Sequence, residues 1–594
     1  MKEKANRLIF VHAPEVYYEQ NYGARFPPIW AYTLAAYVPE EWDISVCDCT
    51  VMDKSEIPEA TVFAFSGINQ DFHAIKSTHG YLKANYPSAK FVLGGPITWS
   101  YEQDGRLNEL AFFDHLFILD GEYTLPRFLS KVARGEYEGI EKVIRSARVS
   151  LQNARKLRFD LFKLNASKYY GGVIEVSRGC PFLCEFCDIR VLPNNNEAHN
   201  KSIALIVEEL DQYYKLGVRQ IQLACDNFIG DLVWARQCVD AILDWVNTTG
   251  AQVALYTWIT INVSRMPELM KTMRLAGFTS LFIGVESFNA HSILEMAKVQ
   301  NKNDKGQMEE AIRGIQSFGF IVLPGLILGF DSDPPTMFDD MLAGVTRSGL
   351  IGGDPTFLLA LPGTPLYARM KRTKRLVEYD QTGRTVPIFK ERVSKVESNM
   401  KFLQPSSFLV KGYMKFIKQL TSPKIQYERF RRHVSIMMES ELFVPVHSIG
   451  YGSLPEYLKF QFSSLINFRM LCKRLFKLFR PANLATVIKA YCLVLRYRPK
   501  YRGLKNHFTF WLFSWSNLLI KYEDLREEDF KIHSIAHDYD LNSLWKDVEC
   551  VEPSVRSGRD KDDVKAADQA RSTREALRRL KERLGVSYSL SDFR

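Results

Sequence analysis

Short apolar runs that stop at a proline or a glycine-bearing turn recur from residue 6 to residue 130. Arg7-Leu-Ile-Phe-Val-His12 ends at Pro14, Thr61 to Phe65 at Ser66-Gly67, Lys90 to Leu93 at Gly94-Gly95-Pro96, and Leu116 to Leu119 at Asp120-Gly121-Glu122. Helical stretches such as His73 to Asn85 lie between them. Strands of this kind are covered on both faces, so the pattern predicts a parallel, doubly wound α/β sheet. Such a sheet takes ligands at the carboxyl ends of its strands, where these glycines fall. From 170 to 365 strand, loop and helix repeat, with strands beginning at Val173, Gln220, Ala254, Leu281, Ile321 and Thr356. Amphipathic stretches such as Ile203 to Leu216 and Met308 to Phe318 separate them, which predicts a parallel barrel.

Just after the first barrel strand, Cys180, Cys184 and Cys187 stand at C-x-x-x-C-x-x-C spacing in Glu175-Val-Ser-Arg-Gly-Cys-Pro-Phe-Leu-Cys-Glu-Phe-Cys187. Three thiolates on one tight loop can each hold one iron of a [4Fe-4S] cube and leave the fourth iron open. A closed zinc site needs four ligands and usually shows paired cysteines, and no second pair follows. Three coincidental buried thiols would not explain the Gly179-Cys180-Pro181 turn or the aromatic Phe186 before the last cysteine.

The cysteine loop resembles the signature of the radical S-adenosylmethionine (SAM) superfamily. Ile221 to Phe228 resembles its second-strand segment, Ala276 to Asn289 its fourth-strand motif, and Lys298-Val-Gln-Asn-Lys302 its lysine and asparagine stretch. The resemblance implies a partial (β/α)6 barrel over 165–365, open on one side. It also implies a [4Fe-4S] cluster on Cys180, Cys184 and Cys187, and polar contacts to SAM from Asp226, Asn227, Gly284, Glu286 and Ser287. Asp226 and Glu286 can also be read as structural carboxylates at the barrel rim. The segment 1–150 resembles the cobalamin-binding domain that precedes one class of these enzymes, with Ser66, Gly67, Gly94, Gly95 and Glu122 as candidate cobalamin contacts. It departs from the Asp-x-His-x-x-Gly motif, since Glu19, Asn21 and Gly23 stand near the expected place. Asp71 and His73 have the right offset but follow a later strand, with Lys76 where glycine belongs. Cobalamin is therefore expected to lack a protein histidine ligand. A glycine-rich sheet domain that binds no cobalamin is the other reading of 1–150.

The implied activity is reductive cleavage of SAM, with an electron donor such as flavodoxin or ferredoxin, and cobalamin-dependent methylation of an unactivated carbon. One alternative is a radical cyclase or rearrangement enzyme like the anaerobic chlorophyll-ring cyclases. Another, of a different class, is a non-catalytic iron–sulfur or cobalamin-sensing protein. A small-molecule or lipid substrate fits either enzymatic reading.

At 594 residues the chain exceeds one ordinary core, and 46% hydrophobic with 25% charged residues is a globular composition. No run approaches the roughly 18 apolar residues of a membrane-spanning helix, and the charged start Met1-Lys-Glu-Lys lacks a secretory apolar core. Ten cysteines, unevenly spaced, make no disulfide framework, and Cys47 and Cys49 read as reduced, buried thiols. The expectation is a cytoplasmic protein.

Residues 366–520 read as a helical extension, in which Gly363 to Tyr367, Gly412-Tyr-Met and Gln426 to Phe430 resemble the extension of cobalamin-type radical SAM proteins related to hopanoid methylases. Residues 521–594 read as a polar tail with one helix over Val564 to Leu584. Between Pro455 and Lys521 stand thirteen Lys or Arg against the single acid Glu456, in a chain of net charge +10. Leu465, Phe468, Cys472, Leu475, Phe476 and Phe479 follow helical spacing beside Arg469, Lys473, Lys477 and Arg480, and His507 to Trp515 adds aromatics. This reads either as peripheral membrane contact through 455–521 or as a helical lid with a solvated basic face. No recognisable RNA module accompanies it, so nucleic-acid binding is not expected.

Overall fold

The computed structural model describes residues 6–15, 26–296, 307–377, 396–446, 462 and 465–535. Glu19, Asn21, Gly23, the stretch Lys298 to Lys302, the side chain of Leu465 and the helix expected over Val564 to Leu584 lie outside the described residues.

The first sheet holds β1 (Arg7–His12), β2 (Asp43–Asp48), β3 (Val62–Ser66), β4 (Lys90–Gly94), β5 (His115–Ile118) and β6 (Val143–Arg145). All are parallel, in the order β2-β1-β3-β4-β5-β6. Its central strands are apolar at nearly every position because helices cover both faces: Phe10, Val62 and Ala64 pack on one side, Ile9, Phe63 and Phe91 on the other. The order reverses between β1 and β3, which opens the usual ligand crevice at their carboxyl ends. β2 and β6 are the edge strands, and neither shows an apolar run in sequence. Cys47 lies on β2 and Cys49 just beyond it; both are unpaired, and burial pushes their thiols up to about 11 and about 12.

The second sheet contains β7 (Gly172–Glu175), β10 (Gln220–Ala224), β11 (Ala254–Trp258), β12 (Phe278–Glu286), β13 (Ile321–Leu328) and β14 (Pro355–Phe357); a hairpin of β8 (Ser177–Arg178) and β9 (His199–Asn200) flanks the cysteine loop. The six strands pair in parallel in chain order from β7 to β14, the connectivity of a partial barrel left open between first and last strand. On β12, Leu281, Ile283 and Val285 are buried under the helices, so Ser280, Phe282 and Gly284 face inward by alternation.

Five long helices follow, Ser406–Leu420, Pro423–Met438, Leu465–Leu478, Pro481–Tyr497 and Leu504–Lys521. They pack near the amino-terminal ends of the later barrel strands: Arg429 donates to the carbonyls of Leu350 and Gly352 just before β14, and Tyr522 bonds Asp354. The extension is mainly helical, as expected, and one reading needs correction. The helical extension contains a strand, β15 (Val396–Phe402), and the supposed polar tail from 521 supplies its parallel partner, β16 (Phe530–Ser534). The acidic run Glu523 to Asp529 masks β16 in composition, while β15 is half-buried by alternation. No single helix among the described residues is long and apolar enough to cross a membrane.

Candidate functional site

The cysteine loop leaves the carboxyl end of β7 and is strapped from several directions. Gly179 has φ +93°, where an added Cβ would run into the Glu197 carbonyl, so the turn into Cys180 requires glycine. The Gly179 amide donates to Asp226 Oδ2 at 2.6 Å and the Cys180 amide to the Asn195 carbonyl at 3.0 Å. Between the second and third cysteines, Glu185 receives a bidentate pair from Arg369 at 2.7 and 2.9 Å, and its carbonyl accepts from the Leu366 amide. Arg369 also donates to Asp331, which Arg375 grips with two bonds of 2.6 Å. Burial would raise Asp331, but the two guanidiniums hold it far below the usual carboxylate range. Glu295, half-buried beside Asp331, is pushed up by desolvation and by that neighbouring carboxylate, and accepts from the Ser332 amide and hydroxyl.

Cys184 is buried, and Cys180 and Cys187 are half-buried. Burial raises the Cys180 thiol, opposed by the Phe182 amide and Asn227; burial and Asp188 push Cys187 up to about 12. Among the described residues no three His, Cys, Asp or Glu side chains converge on a point that would hold a single ion.

Asp226 and Asn227 lie just beyond β10, after Cys225. Burial pushes Asp226 up to about 6 while the Gly179 amide opposes it, so one of its oxygens is already committed to the loop. Asn227 is buried and accepts from the Thr260 hydroxyl. Gly284, Glu286 and Ser287 lie at the carboxyl end of β12, where a register shift falls between Gly284 and Glu286. Glu286 has φ +62°, an unusual backbone state for a side-chain-bearing residue that clusters at functional sites. Gly284 pairs with Gly325 of β13, and a Cβ on Gly325 would sit 3.6 Å from Glu286 Oε2. The Phe282 ring comes closer still, with Cζ 3.3 Å from that Cβ position, so Gly325 makes room for the Phe282 and Glu286 side chains. Ser287 Oγ accepts from the Asn289 amide. The inner face also carries Trp258, 40% exposed, whose Nε1 donates to the Tyr256 hydroxyl at 2.7 Å and whose ring lies 5.4 Å from Phe282.

In the first sheet Ser66 and Gly67 end β3, and Gly94 and Gly95 end β4. Gly95 has φ +86°, and a Cβ there would strike Ser66 and approach the Gly67 backbone to 3.0 Å, so both loops need the glycine to pack together. Glu122, read as a candidate cobalamin contact, is engaged in an ion pair. Its carboxylate accepts from Arg178 at 2.7 Å, and Arg178 also reaches Asp120 at 3.1 Å and Glu175 at 2.8 and 2.9 Å. Arg148 bridges the same two regions, donating to Asp120 and to the side-chain oxygen of Asn195. The carboxyl edge of the first sheet is thereby bonded to the cysteine loop of the second. The sequence reading left Arg178, Asp120, Glu185, Arg369 and Arg375 without roles. Only the places of Arg178 and Glu185 within the cysteine motif could have signalled them.

The radical SAM superfamily model matches residues 174–343, and a domain of unknown function (DUF4070) matches 364–479. The hopanoid C-2 methylase of Rhodopseudomonas palustris is 29% identical over 420 residues, covering 68% of this chain and 73% of that protein. Among solved structures, the cobalamin-dependent SAM radical enzyme OxsB aligns over 92% of this chain and 84% of its own at 14% identity, with a TM-score of 0.53. The radical SAM methyltransferase TsrM of Kitasatospora setae aligns over 64% of this chain and 84% of its own at 11% identity, with a TM-score of 0.50. These structural likenesses concern the fold.

Proposed function

This chain carries a radical SAM domain over residues 174–343, and from that premise we propose that the protein is a cobalamin-dependent radical SAM methyltransferase acting on an unactivated carbon. One observation carries the reading: Arg178, next to the cysteine turn, is bonded to Asp120 and Glu122 at the carboxyl edge of the first sheet. A barrel alone suffices to cleave SAM. A second sheet whose ligand edge is fastened to the same loop brings a second cofactor within reach of the first.

The residues fit both groups. Cys180, Cys184 and Cys187 supply the thiolate set of an open cluster. At the first sheet's carboxyl edge the loops need Gly67 and Gly95, and Asn69 Oδ1, Trp99 Nε1 and Thr124 Oγ1 are buried there without hydrogen-bond partners, polar groups that a bound cofactor would satisfy. When bound, the cluster and cobalamin supply reductive cleavage of SAM to methionine and a 5′-deoxyadenosyl radical, together with a transferable methyl group.

The chain's own part is positioning. Asn227, Glu286 and Ser287 are assigned to the polar end of SAM, Gly284 to the close approach its nucleoside needs, and Asp226 to holding the Gly179 turn. Glu122 acts on the cobalamin edge through Arg178. Tyr256, Trp258 and Phe282 give the open barrel an aromatic inner wall suited to a large apolar substrate, and the Rhodopseudomonas relative is named for a hopanoid.

The test is anaerobic reconstitution with iron, sulfide and hydroxocobalamin, then incubation with SAM and reduced flavodoxin. The expected outcome is one cobalamin retained per chain and formation of both 5′-deoxyadenosine and S-adenosylhomocysteine, with Cys184→Ala making neither. 5′-Deoxyadenosine alone, without retained cobalamin, would assign the chain to a radical cyclase or rearrangement enzyme instead.

A further inference from the structure

The helices Leu465–Leu478 and Pro481–Tyr497 are turned the wrong way for a globular protein. Phe468, Cys472, Leu475, Phe476 and Phe479 recur at helical spacing within about a 100° arc, the stripe that normally packs inward. Here it faces outward: Phe476 is 69% and Phe479 60% exposed, and Phe468, Cys472 and Leu475 are exposed as well. The opposite face buries polar groups, Arg474 against Asn517 and Lys477 paired with Glu523. The second helix repeats the inversion. Ile488, 54% exposed, Tyr491 and Leu495 point out, while Asn483 and Thr486 are buried beside Ala490 and Val494. Eight of the sixteen exposed large hydrophobic side chains among the described residues fall between 462 and 495.

The core beneath is already filled, since Trp511 and Trp515 of the helix Leu504–Lys521 are fully buried under this pair. The exposed stripes are therefore surplus to the fold, and a contiguous patch of this kind marks an interaction surface. Exposed cations border both stripes, Arg469, Lys473 and Arg480 on the first, Lys489 and Arg496 on the second. No Asp or Glu occurs anywhere from 457 to 521.

We propose that these two helices dock the protein on an anionic lipid surface, with the Phe and Leu stripes at the acyl boundary and the bordering Lys and Arg among the headgroup phosphates. Three observations favour lipid. Bulky apolar residues flanked by cations are the pattern of helices that lie in a membrane interface. A second copy pairing through the same patch would set cations against cations. The two helices meet at 93° and neither is long and apolar enough to cross a membrane alone; together they have the length and composition of a broken span, so it is the exposed cations bordering both stripes that favour lying on the surface over insertion. The proposal is independent of the reaction assigned to the barrel.

The experiment is co-sedimentation of the full chain with vesicles of phosphatidylcholine alone or with about one-third phosphatidylglycerol. The full chain is expected to pellet with the anionic vesicles and to be released by high salt. The double variant Phe476→Ser/Phe479→Ser, and separately Arg469→Glu/Lys473→Glu, should each bind at least about tenfold more weakly with unchanged circular dichroism. Equal pelleting on both vesicle types, or unchanged binding by both variants, overturns the proposal. Retention that only detergent releases would indicate insertion through the bilayer and also overturns it. A concentration-dependent dimer that Phe476→Ser/Phe479→Ser abolishes, without vesicle binding by the parent, assigns the face to a second copy instead.

Discussion

Arg178 joins three carboxylates drawn from two sheets, and each of its bonds is charge-assisted. Burial works against its charge, yet Glu175, Glu122 and Asp120 together raise the guanidinium well above its usual range; Glu175, which burial alone would raise, is held low by Arg178. Replacing it with Met leaves buried Glu122 and half-buried Glu175 without that cation, so Arg178→Met is expected to cost about 3–5 kcal/mol, read as a lowered urea midpoint. Arg178→Lys should recover only part of this, because an ammonium does not reproduce the planar fork; full recovery would show that charge alone matters. The three cysteines were legible in the sequence because thiolate ligation demands that residue type at that spacing. The partners of Arg178 were not, since Asp120 and Glu122 stand 58 and 56 positions away and only tertiary folding brings them near.

Between the helices Pro423–Met438 and Leu504–Lys521, His433 Nε2 lies 2.8 Å from His507 Nδ1, both buried. Burial pushes His433 down to about 3 and holds His507 well below its usual value, with the neighbouring His433 and Arg274 adding to the effect. Both rings are therefore neutral in the fold, whereas the unfolded chain takes up protons below about pH 6.5. The unfolded state binds more protons there, so the pair's stability is fully present above that pH and is lost as pH falls from about 6.5 toward 3. His433→Gln should give a shallower fall in melting temperature between about pH 7 and 5 than the parent; parallel curves would mean that the pair titrates normally. Legibility at this scale follows burial. The central strands β3 and β4 announce themselves as apolar runs, while the two missed strands of that sheet, β2 and β6, are its edges. Covered less completely, Asp43-Ile-Ser-Val-Cys-Asp48 and the three-residue Val143–Arg145 carry polar residues that hide them.

A single buried core runs from Leu8, Phe10 and Phe117 of the first sheet through Phe162 and Tyr169 of the connecting segment to Ile174, Leu223 and Ile283 of the barrel. The sequence shows two sheets by their separate repeats, but their shared core and facing edges appear only when the chain is assembled, because neither leaves a local periodic signal. Continuous packing predicts cooperative loss. Hydrogen exchange in β3 and β12 is expected to rise at the same denaturant concentration, and separate transitions would show two independent folding units. The clamp on the cysteine loop also has a history in time. Arg369 is made 184 residues after Glu185, and at roughly 5–20 residues per second this leaves on the order of 10 to 40 s during translation when the loop exists and its clamp does not. During that interval the loop is held by its nearer ties alone, the Cys180 amide on the Asn195 carbonyl and the Gly179 amide on Asp226, so a chain still on the ribosome carries a cysteine loop less fastened than the finished one does.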